Sequence, residues 1–248
     1  MSPTVKKSVN PLPLKERMKV PRQLMPEPAA EERAHNFSEV NLGYSPELAQ
    51  QEALRCLEYA KPTCTDDCPV GVKVKEFVER IVIGDCLGAA AKIREDNVLP
   101  AATGRVCPQE DHREGKCLLS KKVKPLGIGY LECFVADYEK RRGTHVVSMC
   151  RPTGKKIAVV GSGPSGLKVA GDLIQKGHKV RVFEALHELG GVQVYCIPEF
   201  RLPKQIIREQ LDYMREMGVE FEADVVVGRT VTIDEHPRGA FQRGLLRQ

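Results

Sequence analysis

The chain has 248 residues, enough for one large domain or two domains of modest size. Its 38 basic and 33 acidic residues leave a small positive excess, which does not indicate a nucleic-acid-binding protein. No apolar run is long enough to cross a bilayer, and the basic N-terminus is not followed by the apolar block of a secretory signal. We therefore expect a cytoplasmic protein without a membrane span.

Nine cysteines is a high count for a chain of this size, and an odd number excludes a complete set of disulfides. In a reducing compartment, clustered cysteines indicate metal binding more often than disulfide formation. A metal-binding region is therefore expected where the cysteines cluster.

The first part of the chain combines a proline-rich arm with four helical patterns. Residues 1–35 contain six prolines among charged residues, so we expect an extended N-terminal arm there. Helical periodicity follows over residues 45–59, 72–83, 86–97 and 127–142. Residues 64–68 and 100–117 are predicted as loops. Residues 36–145 are therefore predicted to form a small helical domain.

The pattern changes at Lys155. Residues 157–160 form a continuous apolar run, typical of a strand buried on both faces. A predicted helix over 164–176, a strand over 179–183, a helix over 203–217 and a strand-like segment over 219–227 follow. This alternation begins a parallel α/β sheet. The fold class is therefore α+β with several domains, in which a partial Rossmann-like domain over residues 153–235 follows the helical one.

A glycine-rich segment, GSGPSG at residues 161–166, links the first predicted strand to its helix. Gly161 allows the tight turn, and Gly163 lets a pyrophosphate approach the backbone. Gly166 lets the helix pack close to the strand, and the phosphate lies at the helix N-terminus. The segment predicts a dinucleotide site, and the alternative is a tight turn without a ligand.

An acidic residue and a second glycine pair strengthen this interpretation. Glu184 ends the second predicted strand, 18 residues after Gly166, where it can accept hydrogen bonds from ribose hydroxyls. A carboxylate there disfavours a 2′-phosphate, so FAD or NAD is expected rather than NADP. The pair Gly190 and Gly191 is an added feature of FAD-binding proteins.

Five cysteines of the helical domain form two groups, one over residues 56–68 and one over residues 107–117. They are Cys56, Cys64, Cys68, Cys107 and Cys117. Cys68 precedes a proline, as in many ferredoxin-type binding loops. The cysteines lack paired C-x-x-C knuckles at zinc-finger spacing, so zinc is the weakest alternative. Iron–sulfur chemistry is therefore the favoured interpretation.

Several segments together resemble the glutamate synthase small-subunit family over about residues 30–235. They are RCLEYAKPTCTDDCPV at 55–70, LPAATGRVCPQE at 99–110, IGYLECFVAD at 128–137 and GGVQVYCIPEFRLPK at 190–204. The helical part also resembles the N-terminal domain of dihydropyrimidine dehydrogenase and the larger subunit of ferredoxin-NADP transhydrogenases. Two cysteine boxes combined with a flavin fingerprint make the resemblance specific.

The resemblance implies an NAD(P)H-dependent oxidoreductase subunit of the cytoplasm. In the family, NAD(P)H reduces FAD, and electrons pass through two [4Fe–4S] clusters to a larger partner subunit. The implied cofactor-binding residues are Gly161, Ser162, Gly163, Pro164, Ser165, Gly166, Glu184, Gly190, Gly191 and Arg201. The implied metal ligands are Cys56, Cys64 and Cys117 for one cluster, and Cys68, Cys107 and Glu132 for the other. No catalytic acid or base is expected, because the flavin carries the chemistry.

The chain departs from the family pattern once in each implied cluster site. Tyr59 and Arg113 stand where the family has Cys. A phenol is a poor iron ligand at neutral pH because its pKa is near 10, and a guanidinium cannot ligate a metal. Water or another cysteine, such as Cys133 for the second site, could fill the missing position. The alternative is that the cysteines are small core residues.

The end of the sequence also departs from the family. In the family, a nicotinamide-binding domain is inserted after a segment like residues 225–235. No second G-x-G-x-x-G follows in this sequence, and residues 236–248 do not continue the pattern. We therefore expect an incomplete version of the oxidoreductase subunit. The alternative is a redox-inactive binding or assembly module of the same lineage.

Overall fold

A computed structural model describes residues 9–143 and 149–232, in two compact units. The helical unit comprises residues 9–34 and 40–143 of this range, and the α/β unit comprises residues 149–232 with residues 35–39. The predicted tail at 236–248 lies outside the described residues. No helix within the described residues has the length and apolar character needed to span a membrane.

The helical unit is built mainly from short helices. They are α1 Leu14–Arg17, α2 Ala30–Arg33, α3 Pro46–Ala53, α4 Thr63–Asp66, α5 Val74–Val82, α6 Cys86–Arg94, α7 Pro100–Val106, a 3₁₀ turn at Leu118–Lys121 and α8 Ile128–Arg142. The four predicted helices are confirmed as α3, α5, α6 and α8. Helix α3 ends at Ala53 rather than Tyr59, and Glu58 then adopts a positive φ of 52°. This early end leaves Cys56 in a loop.

The core of this unit lies between α8, α5 and α6. The apolar faces of these helices are buried at Phe77, Val78, Ile81, Ala89, Ile93, Ile128, Leu131, Phe134 and Val135. Complete burial of one such large side chain stabilises the fold by about 1.5–3 kcal/mol. The core thereby fixes the ends of the helices from which the cysteine loops extend.

The predicted loop at residues 100–117 is wrong in its first half, which forms helix α7. Pro100 suits the first turn of a helix because its missing N–H would have no intrahelical partner there. Gly104 is a contact point with α8 rather than a helix breaker. A Cβ at Gly104 would lie 2.8 Å from both the backbone nitrogen and the Sγ of Cys133. The glycine therefore lets α7 and α8 pack closely.

The described part of the proline-rich arm packs on the helical unit and contains two single-turn helices, contrary to the expectation that it could not sustain a helix. The Asn10 side-chain amide donates to the Leu54 carbonyl at 2.8 Å. The Arg17 guanidinium donates to the Cys56 carbonyl at 2.8 Å and pairs with the Glu58 carboxylate at 3.3 Å. The arm therefore holds the backbone of the first cysteine loop.

The α/β unit has the predicted alternation. Its elements are β1 Lys156–Val160, α9 Pro164–Gln175, β2 Lys179–Phe183, α10 Val192–Tyr195, α11 Lys204–Glu216 and β3 Glu220–Glu222. The three strands are parallel in the order β1-β2-β3, with Ala158 opposite Arg181 and Val182 opposite Phe221. The predicted α+β class is thus confirmed. Strand β3 is shorter than expected, and α10 was not predicted.

Candidate functional site

The glycine-rich segment forms the turn between β1 and α9. Gly161 has a φ of 93°, which favours glycine, and its N–H donates to the Phe183 carbonyl at 2.7 Å. Gly163 caps α9, and Pro164 occupies its first turn. The backbone N–H groups of the first helical turn have no intrahelical partner and point toward the space in front of the helix.

Ser162 joins the three parts of the dinucleotide motif. Its side chain is fully buried. Its backbone N–H and its hydroxyl donate to Glu184 Oε2 at 2.8 and 2.5 Å, and the hydroxyl oxygen accepts from the Gly190 N–H at 2.9 Å. The sequence placed Ser162 in the motif, but it did not show that this side chain connects the motif's segments.

Two glycines permit close backbone approaches. A Cβ on Gly166 would lie 2.0 Å from the Gly161 carbonyl oxygen, and a Cβ on Gly191 would lie 2.9 Å from the Cα of Gly163. Gly191 also has a φ of 53°, and Gly190 has a φ of 118°. The structure therefore requires glycine at these positions of the motif.

Glu184 is a buried carboxylate that is held in its charged form. Burial opposes its ionisation. Hydrogen bonds from the Ser162 side chain and backbone, and from the Leu186 N–H at 3.0 Å, nevertheless hold its pKa below the usual range. The carboxylate therefore carries a negative charge near neutral pH. Its predicted contact with a ribose remains a prediction.

The segment after Gly191 is held by a lysine that the sequence reasoning did not select. Lys204 Nζ donates to the carbonyls of Gln193 at 3.1 Å, Leu202 at 3.4 Å and Ile197. Arg201 lies in this segment with an exposed side chain, and its N–H donates to the Pro198 carbonyl at 3.0 Å. The resemblance contained the signal for Lys204, because it ends the segment GGVQVYCIPEFRLPK.

The first cysteine site is a cavity in the helical unit. Cys56, Cys64 and Cys117 line it together with Tyr59. Cys56 follows α3, Cys64 lies in α4, and Cys117 precedes the 3₁₀ turn. The three thiols predicted to share a cluster therefore line the same cavity.

The thiols of Cys56 and Cys64 are protonated at neutral pH. Burial, together with the neighbouring thiols of Cys64 and Cys117, raises the pKa of Cys56 to about 12. Burial and Cys117 raise the pKa of Cys64 to about 11. Metal binding at these thiols must therefore release protons.

The second cysteine site is filled by an arginine. Arg113 is only 4% exposed, and its guanidinium pairs with Glu132 Oε2 and donates from Nε to Gln109 Oε1 at 3.1 Å. The thiols of Cys68 and Cys107 lie near the guanidinium. Burial opposes the charge on Arg113, but Glu132 and these thiols hold its pKa above the usual value. The guanidinium therefore lies within the set of predicted ligands.

Glu132 has both oxygens engaged. Its Oε1 accepts from the Asn97 amide at 2.8 Å and from the Thr103 hydroxyl at 2.7 Å, and its Oε2 accepts from Arg113. The side chain is fully buried. Cys133, the alternative ligand for this site, is buried with its Sγ against Gly104 of α7.

The sequence relationships agree with this geometry. Residues 33–144 match the family described as dihydropyrimidine dehydrogenase domain II, 4Fe-4S cluster. Residues 159–203 match the NAD(P)-binding Rossmann-like domain. The glutamate synthase [NADPH] small chain of Halomonas elongata is 35% identical over 207 residues, which are 83% of this chain and 44% of that protein. The chain is therefore similar to a glutamate synthase small chain over most of its own length.

Two further relatives show a similarity of the same extent. The Escherichia coli K12 glutamate synthase small chain is 34% identical over 82% of this chain and 43% of its own length. The NAD-dependent dihydropyrimidine dehydrogenase subunit PreT of Escherichia coli O157:H7 is 32% identical over 80% of this chain and 48% of its own length. The predicted oxidoreductase lineage is thus confirmed. The chain spans less than half the length of these relatives.

The dinucleotide site fits the family's FAD. Its glycines let the turn, α9 and the second glycine pair approach one another closely, the α9 N-terminus supplies N–H donors, and a charged carboxylate follows β2. Each of these features is one that the glutamate synthase small-chain resemblance implied. The site therefore retains the chemistry that a flavin dinucleotide requires.

The two cysteine sites differ in their fit to the family's clusters. Within the described residues, no group of three or more His, Cys, Asp and Glu side chains could hold a single metal ion. A cluster instead takes its ligands at separate corners, and the three thiols around the first cavity suit that arrangement. The second site does not fit a cluster, because a buried cation and a fully engaged carboxylate occupy the ligand positions.

Proposed function

We propose that this chain is an electron-transfer unit of an NAD(P)H-dependent oxidoreductase of the glutamate synthase small-subunit type. The observation that carries the proposal is the buried Ser162, which joins the glycine-rich turn, Glu184 and the second glycine pair into one site. A tight turn without a ligand would not need these three segments to meet.

The chain's own residues have distinct roles in this proposal. The N–H groups at the α9 N-terminus would bind the FAD pyrophosphate, and Glu184 would accept hydrogen bonds from the ribose. Bound FAD supplies hydride acceptance and single-electron release. Cys56, Cys64 and Cys117 would hold a cluster in the helical unit. A larger partner subunit would receive the electrons, and the words "small chain" in the names of the glutamate synthase relatives imply such a partner.

Titration with FAD tests the dinucleotide site. Gly191→Ala should lower the affinity for FAD at least about tenfold, or about 1.4 kcal/mol, because the new Cβ meets Gly163. Gly228→Ala is the matched control, because Gly228 also has a positive φ but has no neighbour within 4 Å of an added Cβ. The measurement is quenching of flavin fluorescence. A wild-type chain that binds no FAD would contradict the proposal, as would equal affinities for the two variants.

A second candidate is a redox-inactive binding or assembly module of the same lineage. The buried Arg113–Glu132 pair in the second cysteine site favours it, because that pair removes one redox centre of the family. The two candidates differ in cofactor content. Protein with neither flavin nor iron after anaerobic reconstitution would support the module, whereas bound FAD and iron would support the electron-transfer unit.

A further inference from the structure

We infer that the second cysteine site is closed to iron by its own ion pair, so that the helical unit takes one cluster and not two. The inference deepens the proposed function and depends on it only for the cluster at the first site. It concerns Cys68, Cys107, Arg113 and Glu132, and it is carried by the contacts of the arginine.

The arginine is anchored inside the site. Two of its nitrogens donate to Glu132 and Gln109, and the thiols of Cys68 and Cys107 lie close enough to influence its charge. Its Nη1 is buried without a hydrogen-bond partner among the described residues. If a cluster occupied this site, the unpaired N–H donor of the guanidinium would point at its iron atoms.

The carboxylate of Glu132 is also fully occupied by hydrogen bonds. Asn97, Thr103 and Arg113 all donate to Glu132, which is fully buried. To bind iron, Glu132 would have to release the arginine. The arginine would then be a buried cation without a counter-charge, and breaking a buried ion pair in this way is strongly unfavourable.

The charge of the arginine opposes iron binding, in addition to the space that the side chain occupies. A guanidinium stays protonated in proteins, so the site keeps a permanent positive charge where iron would have to bind. Within the described residues, no arginine lines the first cavity, and its lining lysine, Lys75, pairs with Glu79 at 3.6 Å. At the replaced position of the first site, Tyr59 is 48% exposed and leaves the cavity open. The chain therefore halves the number of clusters, and so the number of electrons, that its helical unit can hold.

Iron and acid-labile sulfide assays on the full chain test this inference. The protein is reconstituted anaerobically with ferrous iron and sulfide, desalted, and examined by electron paramagnetic resonance after reduction with dithionite. We expect about four iron atoms per chain, the content of one [4Fe–4S] cluster. Cys117→Ala should remove this iron, and Cys107→Ala, its matched control, should leave the content and the spectrum unchanged.

A gain-of-iron variant tests the cause. Arg113→Cys should raise the iron content by about four atoms per chain by restoring the family's ligand, and Cys107→Ala in that background should remove the gain. If Arg113→Cys does not fold, the comparison of Cys107→Ala with Cys117→Ala still shows whether the second site holds iron. A folded Arg113→Cys protein that gains no iron would show that the ion pair is not what excludes the cluster.

The inference and the proposed function fail in different ways. About eight iron atoms in the wild-type chain, the content of two clusters, would overturn the inference. Loss of iron in Cys107→Ala would also overturn it, while the proposed function would survive both results. A wild-type chain that takes up no iron, while Arg113→Cys takes up iron that depends on Cys107, would contradict the first cluster of the proposed function and support the inference.

Discussion

The two cysteine sites of the helical unit each lack one cysteine of the pattern that the resemblance implies, yet the two replacements have opposite structural results. At the first site, Tyr59 stands at the rim with 48% of its surface exposed, and the cavity between Cys56, Cys64 and Cys117 stays open. At the second site, Arg113 is 4% exposed and fills the space. The consequence of losing a ligand thus depends on whether the replacing side chain can leave the pocket.

The largest expected effect is on the second site. Arg113→Met should lower the free energy of unfolding by about 3–5 kcal/mol, because Glu132 is left as a buried charge without its partner. Urea unfolding of the full chain, followed by circular dichroism, measures this change. The double variant Arg113→Met/Glu132→Gln should recover a large part of the loss. A cost of less than about 1 kcal/mol for the single variant would mean that the pair does not stabilise the site.

A smaller effect is expected at the backbone of the first site. Arg17→Met should cost about 2–3 kcal/mol, because it removes the buried donor to the Cys56 carbonyl and the partner of Glu58. Iron content after reconstitution should fall with it, since Cys56 is a proposed ligand. The matched control is Lys19→Met, whose pair with Glu16 is exposed and contributes no more than about 0.5 kcal/mol. Equal losses of stability in the two variants would show that the arm does not support the loop.

The smallest effect concerns the open position of the first site. Tyr59→Cys should slow the loss of iron in air several-fold, because a fourth thiolate would complete the ligand set. Decay of the visible absorption of the reconstituted protein measures it. Phe37→Cys, which adds a thiol at a residue that is 75% exposed, is the control for an extra cysteine. Identical decay rates for wild type and Tyr59→Cys would place position 59 outside the cluster's reach.

The α/β unit was predictable because each of its signals is local. The apolar run of β1, the glycine turn and β2 follow one another along the chain, and this order predicts a parallel strand pair. The expected burial of the first strand on both faces is wrong, because only Val159 of β1 is buried. Helix α7 was missed because Pro100 and Gly104 resemble loop residues. Only the packing of α7 against α8 shows that the glycine serves a contact.

The cysteine sites were only partly predictable for a different reason. The sequence showed that Tyr59 and Arg113 are poor ligands, but not where their side chains lie. Arg113 points inward because Glu132, 19 residues later, supplies a buried counter-charge, and Asn97 and Thr103 orient that carboxylate. Such a network joins residues that are distant along the chain, and no local pattern reveals it. The role of Ser162 was hidden in the same way.

The docked arm has a practical consequence for dividing the protein into fragments. A fragment that begins at residue 36 would keep every proposed ligand of the first cluster. It would nevertheless lose Arg17, which holds the carbonyl of Cys56, and Asn10, which holds that of Leu54. Such a fragment would carry the correct thiols on a loop that lacks its hydrogen bonds to the arm. A failure to take up iron would then result from the truncation and not from the chemistry of the site.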